Sequence, residues 1–328
     1  MSSATDSSKA IENRTEDVAD PVSKVAGDTP STSQIVSTSQ KPWRIFISEF
    51  CESPVAVFAF FLLAAIILMA LFAPLISPQN PYDLGQVDVL DSRLPPGEVS
   101  TSTGMTFWLG TDGAGRDMLS GILYGLRTSL AVGVFSGLLA MAIGTSVGLV
   151  AAYAGGRTEM LIMRLVDLQL SFPAILIALM LVAALGKGVD KIIVALVVVQ
   201  WAYYARTARS AAIVELQREY VEAARCLNFS HSRIIFYHML PNCMPPLIVV
   251  GTVQTASAIA LEATLSFLGV GLPQTEPSLG LLISNGFEYL LSGKYWISTF
   301  PGIALLLTIM SINLVGDQLR DVLNPRSR

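Results

Sequence analysis

Six long apolar stretches, separated by polar loops, fill the sequence after residue 54 and leave it few ways to fold. They cover residues 55–76, 129–154, 168–185, 192–205, 245–268 and 297–315. The first holds 22 residues without a charge, and at ~1.5 Å of helical rise per residue it reaches roughly 33 Å, the thickness of a bilayer's hydrocarbon core. The fourth is too short alone. Its crossing extends over residues 189–209, with Lys191 and Arg206 snorkelling to the two surfaces. Hydrophobic residues make up 52% of the 328 and charged residues 14%, against about 25% charged in a soluble chain. A soluble core cannot absorb that surface, so the excess faces a lipid bilayer. The chain reads as an all-α integral membrane protein with six transmembrane helices. That excludes a soluble enzyme and a disulfide scaffold. A nucleic-acid partner is excluded too, since the net charge is −4 with no basic stripe.

Six crossings place both ends on one side. Twelve Lys and Arg residues fall on the side of the termini and six on the other, leaving out the distal tail. The excess of positive charge marks the cytoplasmic face, so both termini are expected there. Cys51, Cys226 and Cys243 then all lie on the reducing side and need not pair. Residues 1–42 are polar and low in complexity, which predicts a disordered cytoplasmic tail with no signal peptide. Residues 43–128 hold the first transmembrane helix and an extracytoplasmic loop, residues 129–320 the transmembrane core, and residues 321–328 a short cytoplasmic tail. In the second crossing Gly133 and Gly137 are four apart, as are Gly144 and Gly148. Such spacing permits close backbone approach, and ordinary bundle packing is its preferred reading over the lining of a pathway.

Between the fourth and fifth crossings lies an unusual loop, residues 206–241. Its centre is rich in helix formers, with Tyr220, Ala223, Ala224 and Leu227 on one face at i, i+3, i+4 and i+7. Asn228 offers a left-handed stop. Ser230 caps a second helix that Pro241 is expected to close. Two short helices at a sharp corner, with a weakly apolar face bordered by arginines, suit a groove on a soluble partner.

Glu222-Ala223-Ala224, the turn at Asn228 and the later His238-Met239-Leu240-Pro241 resemble the EAA loop of ABC importer permeases, with Asn228 where that family usually has Gly. The likeness extends to Leu109-Gly110-Thr111-Asp112-Gly113-Ala114-Gly115-Arg116-Asp117, to Arg164-Leu165-Val166-Asp167 with Ser171-Phe172-Pro173, to Glu262-Ala263-Thr264-Leu265-Ser266-Phe267-Leu268-Gly269, and to the stretch from Gly316 to Arg326. It covers residues 43–326 and is strongest for the C-type permease of the dipeptide, oligopeptide and nickel importers. The resemblance implies a MetI-like bundle with an extra first helix in a bacterial cytoplasmic membrane. It also implies a second permease subunit forming a heterodimer, two ATP-binding subunits and an extracytoplasmic substrate-binding protein. The coupling residues it implies are Tyr220, Glu222, Ala223, Ala224, Leu227, Asn228, His238 and Pro241, and Ala224→Glu is expected to abolish coupled transport in a folded chain. Peptides are the leading cargo, ahead of nickel chelates, glutathione and opines.

No enzyme activity or cofactor is expected. Gly186-Lys187-Gly188 lacks the upstream glycine and the following Ser or Thr of a phosphate-binding loop, so ATP is hydrolysed elsewhere. Cys226, His231, His238 and Cys243 do not have zinc-finger spacing, and loop packing is the preferred reading. No paired carboxylates lie at membrane depth for an intramembrane enzyme, and no convincing repeat supports a secondary carrier or channel. Glu262, late in the fifth crossing, reads either as an outer gate or counter-ion for a substrate amine, or as a bonded helix-end carboxylate. Asp167 reads either as a tie to the coupling region or, preferably, as a local pair with Arg164. Residues 112–127 read as an amphipathic interfacial helix capped by Asp112.

Overall fold

The computed structural model describes residues 42–323 apart from 82 and 101. The tail expected over residues 1–42 therefore lies outside the described residues except at its last position, and residues 324–328 lie outside them too. The described chain is helical, with two isolated bridges, Val99 to Thr106 and Thr111 to Asp117, in its long first loop.

Helix α1 covers Pro42–Cys51, α2 Pro54–Leu71 and α3 Ala73–Ile76. Ser53 caps α2 by accepting from the Ala56 amide, and Pro54 holds the first turn. Only Ala56, Ala59, Ile66 and Ala70 of α2 are buried, while Phe58, Phe61 and Leu68 face outward. A helix this apolar on its outer face has lipid as its natural surroundings.

Helix α4 runs unbroken over Met118–Ala154. It merges the expected interfacial helix with the second crossing. Its cap is Asp117, whose carboxylate accepts from the Ser120 amide at 2.8 Å. Asp112 instead closes the preceding turn, accepting from the amides of Ala114 and Arg116 and from Arg116 Nε at 2.9 Å. The cap therefore falls five residues later than expected, and nothing breaks the helix between Arg127 and Ser129.

Helices α5 (Gly156–Leu170) and α6 (Ala174–Leu185) meet at 88°. The break is Ser171-Phe172-Pro173, where Pro173 is extended and disfavours helix in the residue before it. Helix α7 covers Val189–Leu216, α8 Glu219–Cys226 and α9 His231–Arg233. A π-helical stretch, Ile234–Met239, then leads directly into α10, Leu240–Phe267. Helix α11 covers Leu279–Phe287 and α12 Trp296–Leu323.

Pro241 does not close a helix, contrary to expectation. It sits in the first turn of α10, where a missing N–H costs least. The widened π turn before it takes up the altered hydrogen-bond register, and the His238 carbonyl accepts from Asn242 Nδ2 at 2.9 Å.

The small residues of α4 serve two neighbours. A Cβ at Gly144 or Gly148 would strike the backbone of Trp201 or Ala205 on α7, and one at Gly133 would strike Ile259 on α10. Among the described residues four helices are long and apolar enough to cross a membrane, or five if the bent α5–α6 pair is one span. The sixth expected crossing is α7, which carries Asp190, Lys191, Arg206, Arg209 and Glu215.

Residues 77–117 fold into a compact cap over the α4 start. Asp117 N donates to Gln79 Oε1 at 2.7 Å, Thr111 Oγ1 donates to the Asp91 carbonyl at 2.6 Å, and Trp296 Nε1 donates to the Thr111 carbonyl at 3.3 Å. Gly110 and Gly115 have φ of +79° and +84°, and a side chain at either would strike the Leu94 or Asp88 carbonyl. The glycines of this segment thus shape the cap.

Candidate functional site

At the other end of the bundle, α7 stops at Leu216 and the chain turns into α8. Glu219 and Glu222 occupy its first turn and Arg225 its last, each sign facing the helix end that favours it. Val221 is fully buried and Ala224 is 3% exposed, packed in one cluster with Ala212, Ile234, Met239 and Cys243. Glu222 and Ala223 face outward, and Leu227 is 68% exposed.

The expected docking face is therefore split. Ala224 belongs to the inner face, and Ala224→Glu would break the loop's own packing before it touched a partner. The outward face is Glu222, Ala223, Cys226 and Leu227. Val221, on the strip opposite Ala223, wins the inner position because it is the larger apolar side chain.

Asn228 takes the left-handed conformation at φ +56°, as the sequence indicates. Phe229 N donates to the Ala224 carbonyl and Asn228 N to that of Arg225, which is a Schellman stop made with asparagine. Ser230 is the next N-cap by backbone position, although its side chain makes no capping bond.

Both histidines anchor this corner. His231 Nδ1 and the Tyr153 hydroxyl are 2.7 Å apart, joining α9 to the end of α4, and the Arg225 guanidinium lies 5.4 Å from the Tyr153 ring centre. His238 stacks on Phe229 at 5.7 Å, and the Arg233 guanidinium lies 4.4 Å from the Phe229 ring centre. His238 Nε2 is buried with no hydrogen-bond partner. Tyr220 donates to Glu215 Oε2 at 2.7 Å and accepts from Asn242 Nδ2 at 3.1 Å. Burial, and then the bond to Glu215, push its phenol up to about 12. Among the described residues no three His, Cys, Asp or Glu side chains converge as a metal-ligand set.

Behind α8 a cavity of about 920 Å³ opens between α7, α10 and α12. Its charged and amide lining is Arg206, Glu215, Asn242, Gln254, Asp317 and Arg320. Asp167 reaches its edge: the carboxylate pairs with Arg206 Nη2 at 2.6 Å and not with Arg164. The pair is a tie between α5 and α7. Glu262 stands apart. It is fully buried and accepts from Ser129 Oγ and Ser266 Oγ, both at 2.8 Å, binding α4 to α10. It lies 20 residues along α10 from Asn242, about 30 Å at helical rise.

Tyr153 and the cavity lining carry no motif. Tyr153 follows a run of alanines, and the lining comes from single residues of three distant helices, so spacing along the chain does not reveal them.

Residues 144–328 match the model of the binding-protein-dependent transport system inner membrane component family. Residues 41–96 match the N-terminal transmembrane domain of oligopeptide transport permease C. The di/tripeptide transport system permease protein DppC of Pseudomonas aeruginosa is 36% identical over 285 residues, 87% of this chain and 92% of its own. A putative peptide transport system permease of Brucella suis is 40% identical over 265 residues, 81% of this chain and 86% of its own. The fold is similar to that of the inward-facing MetNI methionine ABC transporter, at a TM-score of 0.52 and 20% identity, covering 63% of this chain and 98% of that one. The chain belongs to the binding-protein-dependent transport system inner membrane component family, as a MetI-like ABC importer permease of the C type.

Proposed function

We propose that this chain is one half of a heterodimeric permease that passes short peptides across the cytoplasmic membrane. Two separate ATP-binding subunits drive it, one seated on the outward face of α8. A substrate-binding protein delivers cargo at the cap end. Six crossings with both termini cytoplasmic complete the arrangement, α7 serving as the sixth with Lys191 and Arg206 at its two surfaces.

The observation that carries this reading is the two-sided α8. Val221 and Ala224 fix it to the bundle, while Glu222, Ala223 and Leu227 face outward and are exposed among the described residues. A short helix anchored on one face and open on the other transmits a push. Closure of the ATPases on ATP binding would move α8, and through Tyr220, Asn242 and His238 the base of α10 and the wall of the cavity. Peptide cargo is supported by the relatives named for peptide transport. Glu262 holds the cap end of α4 and α10 together, and Asp167 steadies Arg206 at the cavity edge.

The test is ATP-driven uptake of a labelled dipeptide by the intact complex in proteoliposomes, with and without Ala223→Glu. The variant is expected to fold, lose its ATPase subunits on pull-down and lose uptake. Uptake at the unmodified rate would refute docking on this face. Uptake of glutathione or a nickel chelate in preference to dipeptides would keep the coupling assignment and replace the cargo.

A further inference from the structure

The cavity behind α8 carries opposite charges that do not meet. Arg206 and Glu215 stand on α7, Asp317 and Arg320 on α12, and no ion pair joins any two of them. Arg206 is taken by Asp167, and Glu215 by the Tyr220 hydroxyl at 2.7 Å and by Arg218 at 3.8 Å. None of those three partners lines the cavity. Among the described residues neither Asp317 nor Arg320 has an ion pair within 4.0 Å, although the two are three positions apart on one helix. Both are exposed. Side chains at that spacing are neighbours, about 5–6 Å apart at Cβ. An anion and a cation therefore stand side by side on the wall, each open to a partner from the cavity.

The rest of the wall is α10. Pro245 and Pro246 lie inside that helix and line the cavity. A proline has no N–H, so the carbonyls of Pro241 and Asn242 lose their helical donors beside this wall. In a membrane protein, backbone left open in this way is tolerated where it borders a water-filled cavity. Val249, Val250 and Val253 continue the wall toward the cap end, and Gln254 ends it. The volume of about 920 Å³ falls within the ~300–1,000 Å³ of small-molecule sites. The lining selects an occupant with one positive end, one negative end, an N–H between them and no fixed side chain. A dipeptide is such a molecule. Extended, its ammonium and carboxylate are about 7 Å apart, close to the spacing of the Asp317 and Arg320 side chains. A plain anion would meet the acids of the lining, and a plain cation its arginines.

We infer, resting on the peptide-permease reading above, that this cavity is a peptide site that reads the two termini and not the side chains. Asp317 takes the ammonium and Arg320 the carboxylate. The freed carbonyls of α10 accept from peptide N–H groups, and the peptide's side chains lie over Val249, Val250 and Val253. Asp167 and Tyr220 hold Arg206 and Glu215 on the α7 wall, so neither neutralises the α12 pair. Selection by termini lets one permease pass peptides of differing sequence and turn away those with a blocked end.

The experiment is maleimide labelling of Val250→Cys in the intact complex in nanodiscs, without ATP. Mass spectrometry reads the label site by site, so that Cys51, Cys226 and Cys243 are counted separately. The probes are dialanine, N-acetyl-dialanine and dialanine amide. Dialanine is expected to slow labelling, and each blocked form to need about tenfold more for the same protection, the loss of one charged hydrogen-bonded contact. Added Arg320→Gln should erase the preference over the amide and keep the preference over the acetylated form. Asp317→Asn should do the reverse. A merely structural role for either residue would not produce that crossed pattern. Equal protection by all three compounds, or none by any, would overturn the site. Failure of the maleimide to reach position 250 in the peptide-free complex would overturn it too, by showing protein where an open cavity is claimed. Labelling needs neither transport nor ATP. A flat result therefore strikes the site alone, while dipeptide uptake by the intact complex decides the cargo separately.

Discussion

The two ends of this bundle treat their polar groups in opposite ways. At the cap end Asp117, Gln79, Ser120, Thr111 and Trp296 satisfy one another, and Glu262 is enclosed by Ser129 and Ser266. At the α8 end Glu222, Asp317 and Arg320 are exposed and His238 Nε2 is buried without a partner. The cap end is largely closed on itself, Glu276 Oε2 being its one buried side-chain atom without a partner among the described residues, while the α8 end leaves its charges open. The seam that joins them is the α4–α7 contact. Damage there should be the most severe of all. Gly144→Leu or Gly148→Leu drives a side chain into the α7 backbone, where neither helix can yield without opening the seam. We expect loss beyond the ~1–3 kcal/mol of ordinary overpacking, read as failure to recover a monodisperse complex from the membrane. A normal elution profile would show the seam to be looser than the glycine contacts indicate.

The comparison sharpens between adjacent residues. Ala224→Glu places a charge in a closed apolar cluster, a change that costs several kcal/mol unless the helix swings out. Ala223→Glu places the same charge in solvent. The first should lower thermal stability and uptake together. The second should remove uptake and ATPase retention with the melting point unchanged. Equal melting losses in both would mean that α8 is buried on two faces.

At the cap end, removing the buried carboxylate leaves two serine hydroxyls unpaired. Glu262→Ala should therefore cost about 2–6 kcal/mol from the two orphaned hydroxyls, at about 1–3 kcal/mol each, with the cavity adding to that. Glu262→Gln should cost far less, since serines accept as well as donate. If instead the glutamine variant stays stable but loses transport, the carboxylate has a role in passage beyond its structural one.

How much of this was readable beforehand follows the same division. The helical class, the glycine seam and the Asn228 corner follow from local rules: apolar run length, small-residue spacing, and the tolerance of asparagine for positive φ. The split of α8 does not. Tyr220, Ala223, Ala224 and Leu227 share a stripe, but which half turns inward depends on Val221 competing for the cluster around Ile234 and Met239. The tie of Asp167 to the coupling region ranks second to a local pair in the sequence for a related reason. A pair three residues apart is visible in a sequence, while one across 39 positions appears only when α5 is folded back along α7. Pro241 misled because a proline reads as a stop, and the π turn that lets the helix pass through it leaves no compositional mark.

The smallest expected effect tests how α8 is tied to α10. Tyr220→Phe keeps the ring and removes the hydroxyl that links Glu215 to Asn242. Two modest hydrogen bonds at a half-exposed site are worth about 0.5–1.5 kcal/mol each, so the melting point should fall slightly and uptake should persist at reduced coupling. The pH response has a fixed sign. The phenol is raised to about 12 in the folded chain, above its ordinary value of about 10. Its stabilising contribution is complete below about pH 10 and is lost as pH rises through about 12. Wild type should therefore lose stability on that alkaline side more steeply than Tyr220→Phe, and the two melting curves should run parallel at neutral pH. Curves that stay parallel up to pH 12 would place the hydroxyl in water and cut the link between the docking helix and the base of α10.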